Sequence, residues 1–265
     1  MAVAGIDIGS RSIEIVVLKK DKVIFQNKLP TTFNPLDQLK KIIKGIKFKL
    51  IVTTGYGREL INKIPLTCPI YTITEIKAYA LGVYHLYPNA KTILDIGGQD
   101  TKAISLASNG KVKNFEMNDR CAAGTGKFLE FTASIFQIPI QKFGHYALKG
   151  KIALPINSMC TVFAETEAVS LMAKGEAPEN IALGLHKSIV KRSINMLKRV
   201  GLKTPLIFAG GVANNPCVVH LLKTELDISP IIPPNPDTIG ALGAALWGRS
   251  RFNRTQKNSL NLKKS

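Results

Sequence analysis

No apolar run in this chain approaches the roughly 20 residues that a bilayer crossing requires, so a membrane-spanning protein is not expected. The start, MAVAGIDIGS, lacks the basic segment, apolar core and small-residue cleavage site of a secretory leader. Cysteines number four in 265 residues and form no C-x-x-C pair. That argues against a disulfide-stapled scaffold and, with no leader, points to a cytoplasmic protein whose cysteines are buried packing residues or metal ligands. Aromatics are sparse, and none interleave with basic residues as they do where single-stranded bases stack, so nucleic acid is not an expected partner. Acidic side chains are also scarce, 18 against 36 Lys and Arg, leaving a net charge of +18. The basic residues are spread along the chain, with one local run from Arg249 to Lys264. A generally basic cytoplasm and an acidic protein partner both account for this excess. What remains is ordinary globular composition, long enough for two modest domains with buried cores.

The chain repeats itself. Ala4-Gly5-Ile6-Asp7-Ile8-Gly9-Ser10-Arg11 leads into the apolar stretch Ile13 to Leu18, and Thr92-Ile93-Leu94-Asp95-Ile96-Gly97-Gly98-Gln99 leads toward Ile104 and Leu106. Each reads as strand, glycine turn, strand. A second turn follows (Lys20-Asp21-Lys22 or Asn109-Gly110-Lys111), then a third strand from Val23 or Val112. Helical patterns come next, over Leu36–Ile46 and Ala122–Phe136, and each half later reaches a strand ending in a glycine-rich turn, Thr54-Gly55-Tyr56-Gly57 or Gly210-Gly211-Val212-Ala213. A long helix is expected over Ile181–Val200 and a short closing one over Gly240–Trp247. The expected fold is therefore α/β, two like halves with a nucleotide cleft between them. Residues 1–88, with 240–265 packing back on them, form the first half; residues 89–239 form the second.

Glycine turns let backbone amides approach a phosphate closely, because no side chain intervenes. Gly9, Ser10 and Arg11 in one half, and Gly97, Gly98, Gln99 and Asp100 in the other, are the expected phosphate turns. Asp7 and Asp95, just before them, suit magnesium held through water. Gln99 is placed to orient an attacking water. Gly210, Gly211, Val212 and Ala213 suit a base or ribose lying on bare backbone, and Gly240 is assigned to the same nucleotide site. This pattern is similar to that of the superfamily of actin, sugar kinases and heat-shock chaperone ATPases. The resemblance implies ATP held between two ribonuclease-H-like halves.

Cys121, in Asn118-Asp119-Arg120-Cys121-Ala122-Ala123-Gly124-Thr125-Gly126-Lys127, and Cys160, in Asn157-Ser158-Met159-Cys160-Thr161-Val162-Phe163-Ala164-Glu165, both fall before expected helices. Asn118, Asp119 and Ser158 are residue types that cap helix N-termini. Amides at such ends favour an anionic thiolate, the form that binds iron. A cubane cluster takes four thiolates, so two copies of the chain about a twofold axis would complete the set.

These two cysteine motifs, with Leu94-Asp95-Ile96-Gly97-Gly98-Gln99-Asp100, Thr54-Gly55-Tyr56-Gly57-Arg58 and Gly210-Gly211-Val212-Ala213-Asn214, resemble the activator component of 2-hydroxyacyl-CoA dehydratases and the ATPase subunits of benzoyl-CoA reductase. The likeness runs over nearly the whole chain. It implies a homodimer with one 4Fe-4S cluster ligated by Cys121 and Cys160 of each copy, and use of ATP and magnesium. It also implies a ferredoxin or flavodoxin as electron donor, and a CoA-ester dehydratase or reductase component as acceptor. Gly124, Thr125 and Gly126 would link the phosphate side to Cys121. Cys68 and Cys217 lie outside the ligand motifs and read as packing residues. One departure stands out: the family carries Ser/Thr-Glu-x-x-Cys-His-Ala where this chain has Thr74-Glu75-Ile76-Lys77-Ala78-Tyr79-Ala80. A small-molecule kinase without a cluster, and a non-catalytic ATP-binding protein that docks through its basic surface, are the rival readings.

Overall fold

The structure, a computed structural model, describes residues 2–20, 22–119, 121–156 and 161–261, side chains at 161, 162 and 253–261 aside. The chain divides into two units, Met1–Pro88 with Asp237–Ser265, and Asn89–Pro236.

In the first unit, β1 (Ala2–Ile8) and β2 (Ser12–Lys19) are apolar at almost every position and buried along their length. Near-continuous apolar strands must be covered on both faces. Ile13, Ile15 and Val17 pack with Leu39, Ile42 and Ile43 of α1 (Pro35–Ile43), while Val16 and Leu18 pack with Ala241, Leu242 and Ala245 of the chain's last helix, α8 (Ile239–Asn261). With β3 (Lys22–Pro30), β4 (Leu50–Thr54) and β5 (Ile70–Thr72) the sheet order is β3-β2-β1-β4-β5, the first three antiparallel and β1-β4-β5 parallel. Helix α2 (Glu75–Leu86), capped by the Thr74 side chain, packs along α8. Their backbones approach so closely that a Cβ on Gly243 would collide with the Ala78 carbonyl oxygen, and one on Gly82 with that of Ile239.

Two helix bounds differ from expectation. Helix α1 stops at Ile43 because Gly45, at φ +77°, turns the chain out of the helix. The closing helix runs past Trp247 to Asn261, and just beyond Trp247 two of its basic side chains find partners. The Arg251 guanidinium lies 4.5 Å from the Tyr71 ring centroid and 5.5 Å from that of Trp247, and Arg249 Nη1 donates to the Lys20 carbonyl at 3.2 Å.

The second unit repeats the plan. Strands β6 (Thr92–Ile96), β7 (Thr101–Leu106), β8 (Val112–Asn118) and β9 (Leu206–Ala209) form a sheet of order β8-β7-β6-β9 with the same senses. A parallel bridge from Ile207 to Ile231 stands where β5 stands in the first unit. Even the irregularities recur: the register shifts between Val17 and Leu18 and between Ser105 and Leu106, each ten residues after its aspartate. The helices are α3 (Gly126–Ile135), α4 (Ile140–Ala147), α5 (Thr161–Ala173), α6 (Pro178–Arg199) and α7 (Pro216–Leu226). They bury Phe128, Leu129, Phe143, Ile181, Leu185, Ile189, Val218 and Leu222 against Leu94, Ile96 and Phe208.

One polar chain runs through this core. His186 of α6 is fully buried; Nδ1 bonds the Ala182 carbonyl at 2.8 Å and Nε2 accepts from Asn215 Nδ2 at 3.1 Å. Asn215 Oδ1 in turn caps α7, accepting from the amides of Cys217 and Val218 at 3.0 and 3.2 Å. Burial lowers the His186 pKa from 6.5 to about 4, so the folded protein holds the neutral ring and the unfolded chain takes up a proton first.

Two outcomes follow from this packing. Stability should be full above pH 6.5 and should decline by about 3 kcal/mol as the pH falls toward 4, because below 6.5 the unfolded state binds the proton that the core refuses. Denaturant midpoints between pH 7 and 4.5 measure this, and His186→Gln should flatten the slope. Gly243→Ala should lower the melting temperature: the helix-propensity gain of about 1 kcal/mol is outweighed by an overpacking cost of about 1–3 kcal/mol against a backbone carbonyl that cannot yield cheaply.

Candidate functional site

Each unit ends its central strand in a buried aspartate followed by the same turn. Gly9 N donates to the Ser12 carbonyl, and Gly97 N to that of Asp100, both at 3.0 Å. The parallel neighbour then closes over the aspartate with a left-handed glycine. Gly55 (φ +92°) and Gly210 (φ +83°) sit so near Asp7 Oδ1 and Asp95 Oδ1 that a Cβ on either would strike the carboxylate, and would stand 2.5 Å from the Ile8 or Ile96 carbonyl. Only glycine meets both demands.

Cross-strand partners share a face of a sheet, so each aspartate heads a row of side chains. In the first unit the row is Glu14, Asp7, Thr54 across β2, β1 and β4; in the second it is Lys102, Asp95, Ala209 across β7, β6 and β9. The two rows hold opposite chemistry. Lys102 and Asp95 are 2% and 1% exposed, with Nζ 3.1 Å from Asp95 Oδ2 and 2.8 Å from Asp100 Oδ2. The first row instead sets two buried carboxylates beside Thr54 Oγ1, which is buried and makes no hydrogen bond among the described residues. Oxygen donors in this arrangement fit magnesium, a hard cation, at Asp7. Asp95 already faces the Lys102 ammonium.

The other residues expected from the sequence to meet nucleotide fall near the row of their own unit. The Gly9–Arg11 turn is held by Thr31, whose Oγ1 donates to the Gly9 carbonyl and whose amide donates to that of Arg11, both at 2.8 Å. Gly240, in the first turn of α8, lies over Asp7: a Cβ there would strike Asp7 Oδ2 and stand 3.0 Å from the ring edge of Tyr79. The departure Tyr79 thus stands next to the Asp7 site. A cavity of about 580 Å³ opens beside the same turn, lined by Ile8, Gly9, Ser10, Tyr56, Glu59 and Leu60 among others. In the second unit Gln99 is exposed at the tip of its turn. The Gly210–Ala213 segment bends into a 3-10 turn, with Val212 and Ala213 buried. Gly126 sits against both turns: its amide donates to the Gly97 carbonyl at 2.9 Å, and a Cβ on it would be 3.3 Å from Val212 Cγ2.

Of the cysteines, Cys121 is exposed, Cys68 half-buried and Cys217 buried in the core. Burial pushes the Cys217 thiol up to about 12 and raises that of Cys68. Cys160, with Asn157 and Ser158, lies outside the described residues. Among the described residues no group of three or more metal-ligating side chains occurs. Cys121 is not at a helix end. Helix α3 begins at Gly126 rather than Ala122, its N-cap is Thr125, and Asn118 ends β8 instead of capping. The reason is that the carbonyls of Gly97 and Gly98 take the first amides of the helix, from Gly126 and Lys127, at 2.9 and 2.7 Å, which sets where it starts.

Lys102 and Glu14 escaped the sequence reading, and Thr54 entered it only as part of a glycine-turn motif. The available signal was a single charge inside an otherwise apolar strand, seven residues after each aspartate. Removing one partner of a buried pair strands the other, at about 3–5 kcal/mol. Lys102→Met should therefore cost about that much in denaturant unfolding, and adding Asp95→Asn should recover part of the loss; no recovery would mean that the pair is not what Lys102 serves.

The family model of the BadF/BadG/BcrA/BcrD ATPases matches residues 4–248. The activator of lactoyl-CoA dehydratase from Anaerotignum propionicum is 40% identical over 93% of this chain and 97% of its own. The structure of the activator of the 2-hydroxyisocaproyl-CoA dehydratase from Clostridium difficile, with bound ADPNP, matches at TM-score 0.87 and 36% identity, covering 97% of this chain and 98% of that one. Component A of the Acidaminococcus fermentans (R)-2-hydroxyglutaryl-CoA dehydratase matches at TM-score 0.87 and 32% identity, over 95% and 98% of the two chains. The duplicated α/β plan is that of the actin-like ATPases, and the chain belongs to the BadF/BadG/BcrA/BcrD ATPase family.

Proposed function

We propose that this chain is an ATP-dependent electron-transfer activator, a homodimer that delivers a low-potential electron to a CoA-ester dehydratase or reductase component. Cys121 and Cys160 of both copies would hold one 4Fe-4S cluster, which supplies a one-electron reductant recharged by a ferredoxin or flavodoxin. The observation that carries the reading is the exposed Cys121 thiol, on a loop bonded directly into the Gly97–Asp100 turn, in a chain that matches proteins named as dehydratase activators along nearly their whole length. The surface of α5, which follows Cys160, supports a second copy. Ala164 and Ala168 face its own core, while Phe163 and Val169 stand 65% and 50% exposed. Large apolar side chains left bare in this way suit an interface.

The residues divide the work by chemistry. The amides of the Gly9–Arg11 and Gly97–Asp100 turns would bind phosphate, and the aspartate before each turn, Asp7 or Asp95, would serve magnesium. Gln99, free at the turn tip, orients the attacking water. Gly210 to Ala213 receive the base or ribose on bare backbone, with Gly240 closing over Asp7. ATP can drive a change only if it binds two conformations with different affinity. The excess of basic side chains favours encounter with an acidic protein partner.

Anaerobic reconstitution with iron and sulfide tests the reading. The expected product is brown, of twice the chain mass, with four irons per pair of chains, and Cys121→Ser should hold no cluster. A colourless, iron-free monomer after reconstitution would sink it.

A further inference from the structure

The loop that carries Cys121 has every one of its carbonyls held from 121 to 124. Asn118 Nδ2 donates to the carbonyls of Cys121 and Ala123 at 3.0 and 3.1 Å. Thr125 donates to that of Ala122 through Oγ1 at 2.5 Å and its amide at 3.1 Å. Thr101 Oγ1, fully buried, donates to that of Gly124 at 2.7 Å. The loop is exposed at Cys121 and sinks into the protein by Ala123 and Gly124, and two of the three donors come from one place. Thr101 and Asn118 are cross-strand partners, the first residue of β7 and the last of β8. Thr101 directly follows Asp100, the residue that closes the glycine turn and bonds Lys102. At its far end the loop returns to the same turn, through the amides of Gly126 and Lys127 on the Gly97 and Gly98 carbonyls. The left-handed Gly124 (φ +90°) makes this return possible.

The loop is thus bonded at both ends to one rigid strand pair and its turn. A movement of Gly97–Asp100 cannot leave the backbone of Cys121 where it was without breaking one of these bonds. We propose that Asn118, with Thr101, is the positioning residue through which the second phosphate turn sets the place of Cys121. The inference rests on the reading of Gly97–Asp100 as a nucleotide turn; it does not require that a cluster be bound.

The test reads Cys121 itself. Trypsin, cutting after Arg120 and Lys127, releases a peptide with this cysteine alone, so its alkylation by iodoacetamide can be followed by mass spectrometry in the full chain. Wild-type protein should alkylate at a rate that changes on saturation with magnesium and a non-hydrolysable ATP analogue. In Asn118→Ala the rate without nucleotide should shift by about fivefold, the factor carried by one net hydrogen bond, and the nucleotide response should be lost while a fluorescent ATP analogue still binds. Asn118→Asp keeps the shape but has no N–H to donate, and should behave like the alanine variant. Thr101→Val, isosteric and unable to donate, gives a second route should Asn118 variants fold poorly, and should likewise uncouple the response. A wild-type rate indifferent to bound nucleotide, or an Asn118→Asp response equal to wild type, would overturn the proposal. A chain that never takes up iron yet shows the predicted responses would uphold it and remove the cluster reading alone.

Discussion

Everything in each unit is arranged around a carboxylate buried at the end of a central strand. A buried charge is costly unless something meets it, and the strands that flank an aspartate offer only a few positions from which to do so. In both units the parallel neighbour comes over the carboxylate with a left-handed glycine, and the antiparallel neighbour presents a charged residue seven positions on. The turn, the bulge and the sheet order follow from that local solution and recur together.

The two copies have diverged where the chemistry matters. Lys102 neutralises Asp95 and braces Asp100 beneath the Gly97 turn, so that half carries its own cation. The row Glu14, Asp7, Thr54 is built of oxygen donors, and α8 brings Gly240 onto the same carboxylate. The frame occurs twice, and the charge type at one strand position, Glu14 in one half and Lys102 in the other, is exchanged between them.

The braced half is also the one that carries Cys121. Its turn is braced from behind by an ion pair and is continuous with a loop whose carbonyls from 121 to 124 are all engaged. The first amides of α3 end on the Gly97 turn and not on the thiol, so the helix is an extension of that turn. Tyr79 places an aromatic edge beside Gly240 on the other carboxylate row.

Short-range regularities were legible in the amino-acid order. Strand, glycine turn and strand, twice over, follow from alternation of apolar runs with residues that tolerate left-handed backbone, and that repetition is enough to give the fold. Asp7, Asp95 and their turns were found because aspartate, glycine and a preceding apolar run are neighbours in the chain. Tertiary structure decided what depends on register: that Lys102 meets Asp95, that Asn118 and Thr101 meet the Cys121 loop, and that α3 starts at Gly126. Helix propensity alone cannot set that start, since it is fixed by two carbonyls almost thirty residues earlier. Pairing across strands is a long-range property, invisible until the sheet has formed.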